Sequence, residues 1–366
     1  MKIRVLHIID HLGYGGAPFV VKNLVERMPA DQVQSYVCAL RPNLRPLPID
    51  ATTITLESAK YSLAAMRSVP KLCEEHRIDI VHAHLQKAVI VALLARPRFT
   101  ASLVLHEHGP VFRGGSGCVY RWTLRRFGSR ADAIIANSQA AAVAIRQTIS
   151  DPHLPVVVVA NFIDLERFDP DHYDRKAVRE LLGLTEERFV VGFVGRLDRA
   201  KGADLLVDAA ARLPRDERSW CIYLLGDGPE KAPLAKRIRR LGLERIVVLA
   251  GLHENTARVM RAFDLAVVPS RREAFGIAAL ELMRMRVPVI VSPVGGLPEL
   301  VRDGETGIVL SRLDVETIAQ EIRKLASDET LRDRLARRAS EHAGRFDGIS
   351  AVQQVVEVYQ RLIRGA

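Results

Sequence analysis

The sequence predicts an α/β protein built from two doubly wound domains. Short apolar runs rich in β-branched residues alternate with helical patterns from end to end, which is typical of parallel strands that are buried on both faces. The runs fall into two series, and a stretch with little apolar periodicity separates them. The length of 366 residues is sufficient for two domains of ordinary size.

Each series of runs predicts one twisted parallel sheet with helices on both faces. The strand candidates of the first series are residues 3–9, 34–40, 79–84, 102–108, 133–137 and 156–160. Those of the second series are residues 189–195, 220–226, 245–250, 265–269 and 287–292. Segment 161–188 is typical of a linker that leads into a short helix, and the tail 314–366 is predicted to be helical throughout. We therefore expect domains at 1–165 and 166–348.

Composition and charge exclude some classes of protein and leave others open. Apolar residues make up 48% of the chain and charged residues 26%, a globular composition, and no apolar run approaches the ~18 residues of a membrane span. The start does not resemble a signal peptide. Cys38, Cys73, Cys118 and Cys221 are scattered without C-x-x-C spacing, so we expect reduced thiols and a cytoplasmic protein. The net charge of +10 suits nucleic acid, anionic lipid or phosphorylated substrates and selects none of them.

Two glutamates eight residues apart, Glu273 and Glu281, flank an apolar segment typical of a buried helix. A carboxylate in such a helix lowers stability unless a partner satisfies it. Eight helical residues rise about 12 Å, roughly the span between the sugar and the ribose of a nucleotide sugar. We interpret the pair as holding the two ends of such a ligand, with the diphosphate near the helix N-terminus. The alternative is that Glu281 is a surface residue and Glu273 a helix N-terminal charge.

Other loops of the second series contain groups suited to phosphate. Arg196 and Lys201 lie between two glycines directly after a strand. The planar guanidinium of arginine and the compact ammonium of lysine together suit a diphosphate. A glycine turn at Gly226 and a Gly295-Gly296 loop follow two further strands. Because ligands of open parallel sheets bind at the carboxyl ends of the strands, these loops predict a single site.

The first series begins with a glycine loop, which follows its first strand and contains Gly15 and Gly16. Glycines allow the backbone to approach a ligand closely. The loop is not G-x-G-x-x-G, and no acidic residue follows at the expected position, so the loop does not predict a nicotinamide cofactor.

Histidines alternate at two strand ends, His82 with His84 and His106 with His108, so each pair points to one side of its strand. Three interpretations are open: a metal site, histidines capped by neighbouring backbone, and an active-site histidine, for which His108 is best placed. No carboxylate or cysteine signature joins the histidines, so we predict no metal.

Segment 113–130 is a basic helix in which Tyr120, Trp122 and Phe127 interleave with arginines. Residues 1–165 hold 19 basic side chains against 12 acidic ones, so the first half carries most of the excess charge. One interpretation is a solvated helix whose apolar face packs on the sheet. The other is a peripheral contact with anionic membrane through the region from Arg121 to Arg130.

In this order, the motifs resemble the retaining glycosyltransferases of family 4, which have the two-domain GT-B fold. The resemblance covers nearly the whole chain. Its most specific parts are GRLDRAKG at 195–202, GDGP at 226–229, the Glu273–Glu281 pair and GGLPE at 295–299. Supporting parts are GYGG at 13–16, VHAH at 81–84, HEHG at 106–109 and NFID at 161–164.

The resemblance implies a reaction and a division of labour between the domains. The first domain would bind a glycan or lipid-linked acceptor, and the second a UDP- or GDP-linked sugar. A last helix at about 349–366 would cross back to the first domain. The sugar would be transferred with retention at the anomeric carbon, without a metal or other cofactor, in cell-envelope or exopolysaccharide synthesis.

The resemblance also implies roles for individual residues. Glu273, His108, Arg196 and Lys201 would serve catalysis, with Glu273 and His108 facing the sugar and the two cations neutralising the departing diphosphate. Glu281 would hold the ribose. The donor-binding set would be Gly15, Gly16, Arg196, Lys201, Gly226, Phe275, Gly276, Ile277 and Glu281.

The chain departs from the family pattern at some positions, and other functions compete with transfer. Phe162 stands where the family usually has a glycine, and His106 stands where it usually has a threonine. The competing functions are an inactive or regulatory nucleotide-sugar-binding subunit, a sugar-nucleotide epimerase of the same fold, and a phosphorylase whose cofactor-lysine pattern is absent. Binding of nucleic acid is the weakest alternative, since no recognition motif accompanies the basic charge.

Overall fold

The computed structural model describes residues 2–13, 16–43, 46–57, 63–109, 116–214 and 219–364. The chain divides into two compact units, of which one comprises residues 1–162 with 347–366 and the other residues 163–346. Each unit contains one sheet, and in both sheets all strand pairs are parallel. The predicted α/β fold with two doubly wound parallel sheets is confirmed.

The first unit has a seven-stranded sheet in the order β3-β2-β1-β4-β5-β6-β7. Its strands are Ile3–Ile9 (β1), Val33–Ala39 (β2), Thr52–Thr55 (β3), Ile80–His84 (β4), Ser102–Glu107 (β5), Ala133–Ala136 (β6) and Val156–Val158 (β7). Its helices are Gly16–Glu26 (α1), Leu63–Glu75 (α2), Leu85–Ala95 (α3), Ser116–Phe127 (α4), Gln139–Arg146 (α5) and the C-terminal Gly348–Arg364, which is α14 in chain order. Short 3₁₀ turns span Arg96–Arg98 and Gly128–Arg130.

Both faces of the first sheet are buried. On one face Val81 and Leu103 pack within a cluster that includes α3. On the other face Val5 packs in a cluster with Val355 and Tyr359 of α14. The apolar residues of α14 recur every three or four positions, so one side of this helix covers the sheet.

The second unit has a six-stranded sheet in the order β10-β9-β8-β11-β12-β13. Its strands are Arg188–Val194 (β8), Ser219–Leu225 (β9), Val247–Gly251 (β10), Leu265–Val268 (β11), Val289–Val291 (β12) and Ile308–Val309 (β13). Its helices are Arg175–Leu181 (α6), Ala203–Ala210 (α7), Lys231–Arg240 (α8), Thr256–Met260 (α9), Ile277–Arg284 (α10), Leu297–Leu300 (α11), Val315–Ser327 (α12) and Glu329–Ala343 (α13). A 3₁₀ turn spans Pro170–His172.

Several details differ from the sequence prediction. Strands β3 and β13 were not predicted, because β3 is a largely exposed threonine-rich edge and β13 has only two residues. The strand predicted at 287–292 is shorter, since β12 spans three residues. The tail is not helical throughout, because α13 ends at Ala343 and α14 begins at Gly348.

The four cysteines are free, as predicted, and three of them are buried. Among the described residues, no helix has both the length and the apolar composition that crossing a bilayer requires.

Candidate active site

The second sheet places two of the predicted loops side by side. Its strand order reverses between β8 and β11, which are neighbours although two other strands lie between them in sequence. Ligands of open parallel sheets bind at such a switch point, outside the carboxyl ends of the strands. The loop after β8 contains Arg196 and Lys201, and the loop after β11 contains Glu273.

Lys201 and Glu273 form an ion pair at this switch point. The distance from Lys201 Nζ to Glu273 Oε2 is 2.7 Å, and the hydroxyl of buried Ser270 lies 3.1 Å from the same oxygen. The Glu273 side chain is 12% exposed and that of Lys201 is 33% exposed. The pair is therefore partly sheltered but still accessible to a ligand.

Arg196 lies on the same loop but does not join this pair. Its side chain is 70% exposed, and its Nε lies 3.7 Å from Oδ2 of Asp198. Asp198 also fixes the loop, because its Oδ1 accepts a hydrogen bond from the backbone N–H of Lys201. The guanidinium of Arg196 is thus only loosely paired with Asp198 and remains mostly exposed to solvent.

Backbone-to-backbone packing holds the loops at the strand ends together. Gly295 has φ +57°, and a Cβ there would lie 1.7 Å from the carbonyl oxygen of Glu273. Gly226 has φ +142°, and a Cβ there would lie 1.9 Å from the carbonyl oxygen of Gly195. Any side chain at either position would displace a loop that contains a predicted site residue.

The prediction that Glu273 and Glu281 lie on one helix, about 12 Å apart along it, is wrong. Helix α10 begins at Ile277, after Gly276 with φ +105°, so Glu273 lies in the preceding loop. Only the four steps from Ile277 to Glu281 are helical, a rise of about 6 Å. Phe275 is buried, with its ring centroid 5.9 Å from that of Phe346.

Glu281 is half-buried. Within the described part of the chain its carboxylate forms no hydrogen bond or ion pair. Burial raises its pKa from 4.5 to about 7, although the charge of Arg167 opposes the shift. Such a perturbed and unsatisfied carboxylate is typical of a ligand-binding position.

The first sheet brings five histidines together, of which the sequence predicted four. His82 and His84 lie on β4, His106 and His108 lie at the end of β5, and His7 lies on β1. The register pairs His7 with His82 and His84 with His106, so the five rings share one face of the sheet. We call this group the histidine cluster.

Contacts between rings dominate the histidine cluster. His84 lies at its centre, with Nε2 3.0 Å from Nδ1 of His7 and Nδ1 3.0 Å from Nε2 of His108. His82 Nδ1 contacts the hydroxyl of Tyr359 on α14. The partners of these rings are thus side chains, and the expectation of backbone caps is wrong for these contacts.

Burial lowers the pKa of every ring in the histidine cluster. The pKa of His108 falls to about 3, as does that of His7. All five imidazoles are therefore neutral near pH 7, and His108 offers a neutral ring rather than a cation.

His7 was missed because it stands alone in a strand, without an alternating partner. The signal that identifies it is the pairing of β1 with β4, which are not consecutive in sequence. Glu107, by contrast, lies within the H-E-H motif but points away, where its carboxylate accepts hydrogen bonds from the Tyr120 hydroxyl and the Gly109 amide.

The first loop is anchored by Asp10, which the sequence analysis did not single out. Asp10 accepts hydrogen bonds from Arg41 at 2.8 and 2.7 Å and from Lys87. Burial raises the pKa of Asp10, but these two cations outweigh burial and lower it. Gly16 begins α1, whereas Gly15 lies outside the described residues.

Helix α4 has one buried and one exposed side. Tyr120 and Leu124 are buried, while Trp122 is 61% and Val119 is 52% exposed. Arg125 and Arg126 are exposed too, so an aromatic ring and cations share the outer surface. Residues 110–115, at the start of the predicted basic helix, lie outside the described residues.

Two family models together match most of the chain. Residues 14–167 match the model described as Glycosyltransferase Family 4, and residues 174–342 match Glycosyl transferases group 1. A D-inositol 3-phosphate glycosyltransferase of Streptomyces bingchenggensis is 33% identical over 309 residues, which span 78% of this chain and 67% of the relative.

Solved structures show the same fold. HepE of Anabaena in complex with UDP-glucose has a TM-score of 0.83 at 25% identity, and the match covers 98% of this chain and 100% of that one. A glycosyltransferase of Rickettsia africae has a TM-score of 0.84 at 17% identity, with 100% of both chains covered.

The raised pKa of Glu281 predicts a pH-dependent stability. As the pH rises from 4.5 to about 7, the unfolded chain loses this proton before the folded chain does, so folded stability falls over that window and stays low above it. Glu281→Gln removes the ionised form. We expect urea denaturation near pH 8 to show the variant about 1–3 kcal/mol more stable than the wild type, with little difference near pH 4.5.

The matched control is Glu341→Gln, which changes an exposed glutamate of the same unit. It should show no such pH-dependent gain. An equal difference between Glu281→Gln and the wild type at both pH values would contradict the raised pKa.

Proposed function

This chain belongs to the family 4 glycosyltransferases and has their GT-B fold, and we propose that it transfers a sugar from a UDP-sugar with retention of anomeric configuration. The observation that carries the proposal is the ion pair of Lys201 and Glu273 at the switch point of the second sheet, with unsatisfied Glu281 on the helix that follows. UDP is preferred to GDP because HepE, a structural neighbour that is 25% identical in sequence, was solved with UDP-glucose.

We assign the donor to the second unit. Breaking the bond between the anomeric carbon and the diphosphate leaves an additional negative charge on the departing nucleotide. Lys201 has three N–H donors, so it can keep its bond to Glu273 while it contacts the phosphate. The exposed guanidinium of Arg196 supplies a second cation, and the amides at the start of α10 add the positive end of a helix dipole.

The ribose and the sugar are assigned to the two glutamates. An ionised Glu281 can accept hydrogen bonds from two ribose hydroxyls, which would satisfy a carboxylate that the protein leaves unsatisfied. Glu273 contacts the transferred sugar, together with the backbone amides of Phe275, Gly276 and Ile277. The fixed cations make a divalent metal unnecessary at the diphosphate. For His108 we propose the role that the family resemblance implies, a neutral imidazole beside the sugar.

The acceptor is assigned to the first unit. We propose a glycan or lipid-linked acceptor used in cell-envelope or exopolysaccharide synthesis. The bacterial relatives named for D-inositol 3-phosphate provide a second candidate of a different class, a small phosphorylated polyol. The negative charge of a phosphorylated polyol, or of an anionic membrane that holds a lipid-linked acceptor, suits the excess of basic residues in the first half of the chain.

Removal of the Lys201 ammonium should slow transfer. We expect Lys201→Ala to lower kcat with UDP-glucose by about 10²–10³-fold, the effect of removing one preorganised group that stabilises developing charge. The rate is measured as UDP release with D-inositol 3-phosphate or a lipid-linked sugar as acceptor, and product configuration by NMR. Added magnesium or manganese should leave the wild-type rate unchanged.

The control for this experiment is Lys236→Ala, on an exposed position of α8, which should retain the wild-type rate. Failure of the wild-type protein to bind UDP, GDP or their sugars would contradict the transferase proposal. Full activity of Lys201→Ala would contradict the role of Lys201 alone.

We also propose that α4 contacts anionic membrane, because Trp122 and the exposed arginines share its outer surface. Charge reversal at Arg121, Arg125 and Arg126 should weaken sedimentation with vesicles that contain anionic lipid, since each basic residue contributes about 1 kcal/mol at such a surface. Vesicles of neutral lipid should bind weakly and show no difference.

The matched control reverses three exposed arginines of α13, Arg334, Arg337 and Arg338, and so changes the net charge equally. Equal loss of binding in both triple variants would mean that net charge alone causes binding and would contradict a specific role for α4.

A further inference from the structure

The histidine cluster contains more buried polar atoms than its protein partners satisfy. Five ring nitrogens have no hydrogen-bond partner among the described residues: Nε2 of His7, Nε2 of His82, both nitrogens of His106 and Nδ1 of His108. A buried polar group that is left without a partner lowers stability. Such a concentration of unsatisfied nitrogens in one place calls for a ligand that binds imidazole.

Three of the rings have the spacing of metal ligands. His7, His82 and His84 each offer one ring nitrogen, and the three atoms lie within 4.8 Å of one another. His7 Nδ1 and His84 Nε2 are 3.0 Å apart. Two nitrogens bound to one tetrahedral zinc ion at its usual bond length are about 3.3 Å apart, so small ring movements would admit an ion.

The outer nitrogens of two of these rings are already held. A histidine that binds a metal through one nitrogen usually donates a hydrogen bond from the other, which fixes the ring and its tautomer. His82 Nδ1 contacts the Tyr359 hydroxyl and His84 Nδ1 contacts His108 Nε2. This leaves Nε2 of both rings as the nitrogen that can bind an ion.

We propose that His7, His82 and His84 bind a divalent transition metal of the kind that prefers imidazole, with zinc as the leading candidate. The ion would join β1 to β4 at the switch point of the first sheet and would be structural. It would satisfy Nε2 of His82, and the remaining coordination position would be open to water. The metal site does not depend on the sugar-transfer activity proposed above.

A second trio, His84, His106 and His108, also meets the distance criterion but is less well supported. Neither nitrogen of His106 and only one of His108 has a partner, so the rings of that trio are less well oriented. His106→Thr separates the two possibilities, because it removes a ligand from the second trio and none from the first.

The test is a titration of the purified, chelator-treated full chain with cobalt, which absorbs visible light strongly only when four- or five-coordinate. The wild type should bind one equivalent and develop these bands, and zinc should displace the cobalt and raise the Tm. His7→Gln should abolish stoichiometric binding, and Tyr359→Phe should weaken affinity about tenfold. Circular dichroism establishes that each variant is folded.

Two variants serve as controls. His106→Thr should bind cobalt like the wild type, and so should His153→Gln, which changes an exposed histidine of the same unit. Absence of stoichiometric binding in the wild type, or full binding by folded His7→Gln, would overturn the proposal. Loss of binding in His106→Thr would overturn it in favour of the second trio.

Discussion

The salt bridge between Lys201 and Glu273 depends on two distant strands, β8 and β11, being neighbours in a parallel sheet. Parallel strands are joined by crossover connections and not by short hairpins. The carboxyl ends of all the strands therefore lie at one edge of the sheet, together with the loops that follow them. The loops that follow β8, β9, β11 and β12, which contain the predicted site residues and glycines, therefore lie at the same edge of the second sheet. The close packing of Gly226 on Gly195 and of Gly295 on Glu273 joins those loops into one structure.

The first unit uses the same constraint for a different chemistry. The strand order of its sheet also reverses at one place, between β1 and β4, and the histidine cluster lies at this place. In the second unit the side chains at the switch point are charged and partly exposed, while in the first they are neutral and almost all fully buried. One site is thus suited to an anionic ligand, and the other to a metal ion.

Most of the fold followed from the sequence because buried parallel strands are continuous apolar runs. Strand β3 has no such run, and β13 is too short to show one. The prediction that Glu273 and Glu281 share one helix was wrong because the apolar residues before Gly276 resemble the start of a helix. Gly276 has a positive φ, and the helix begins only after it, at Ile277.

The sequence predicted which loops contribute residues to the candidate site, but it did not predict which of those residues contact one another. Residues at strand ends can be identified one strand at a time, which is how Lys201, Glu273 and His108 were found. Which of them meet depends on strand order and register between segments far apart in sequence. The partnership of Lys201 with Glu273 and the membership of His7 in the histidine cluster follow only from that order.

We propose that the loops at the carboxyl ends of the second sheet bind the diphosphate and ribose of a nucleotide sugar. A crystal structure of the protein with UDP tests it most directly. We predict phosphate oxygens within hydrogen-bonding distance of Lys201 and Arg196, and both ribose hydroxyls on the carboxylate of Glu281. UDP bound elsewhere on the chain, with Glu281 left without a ligand, would contradict it.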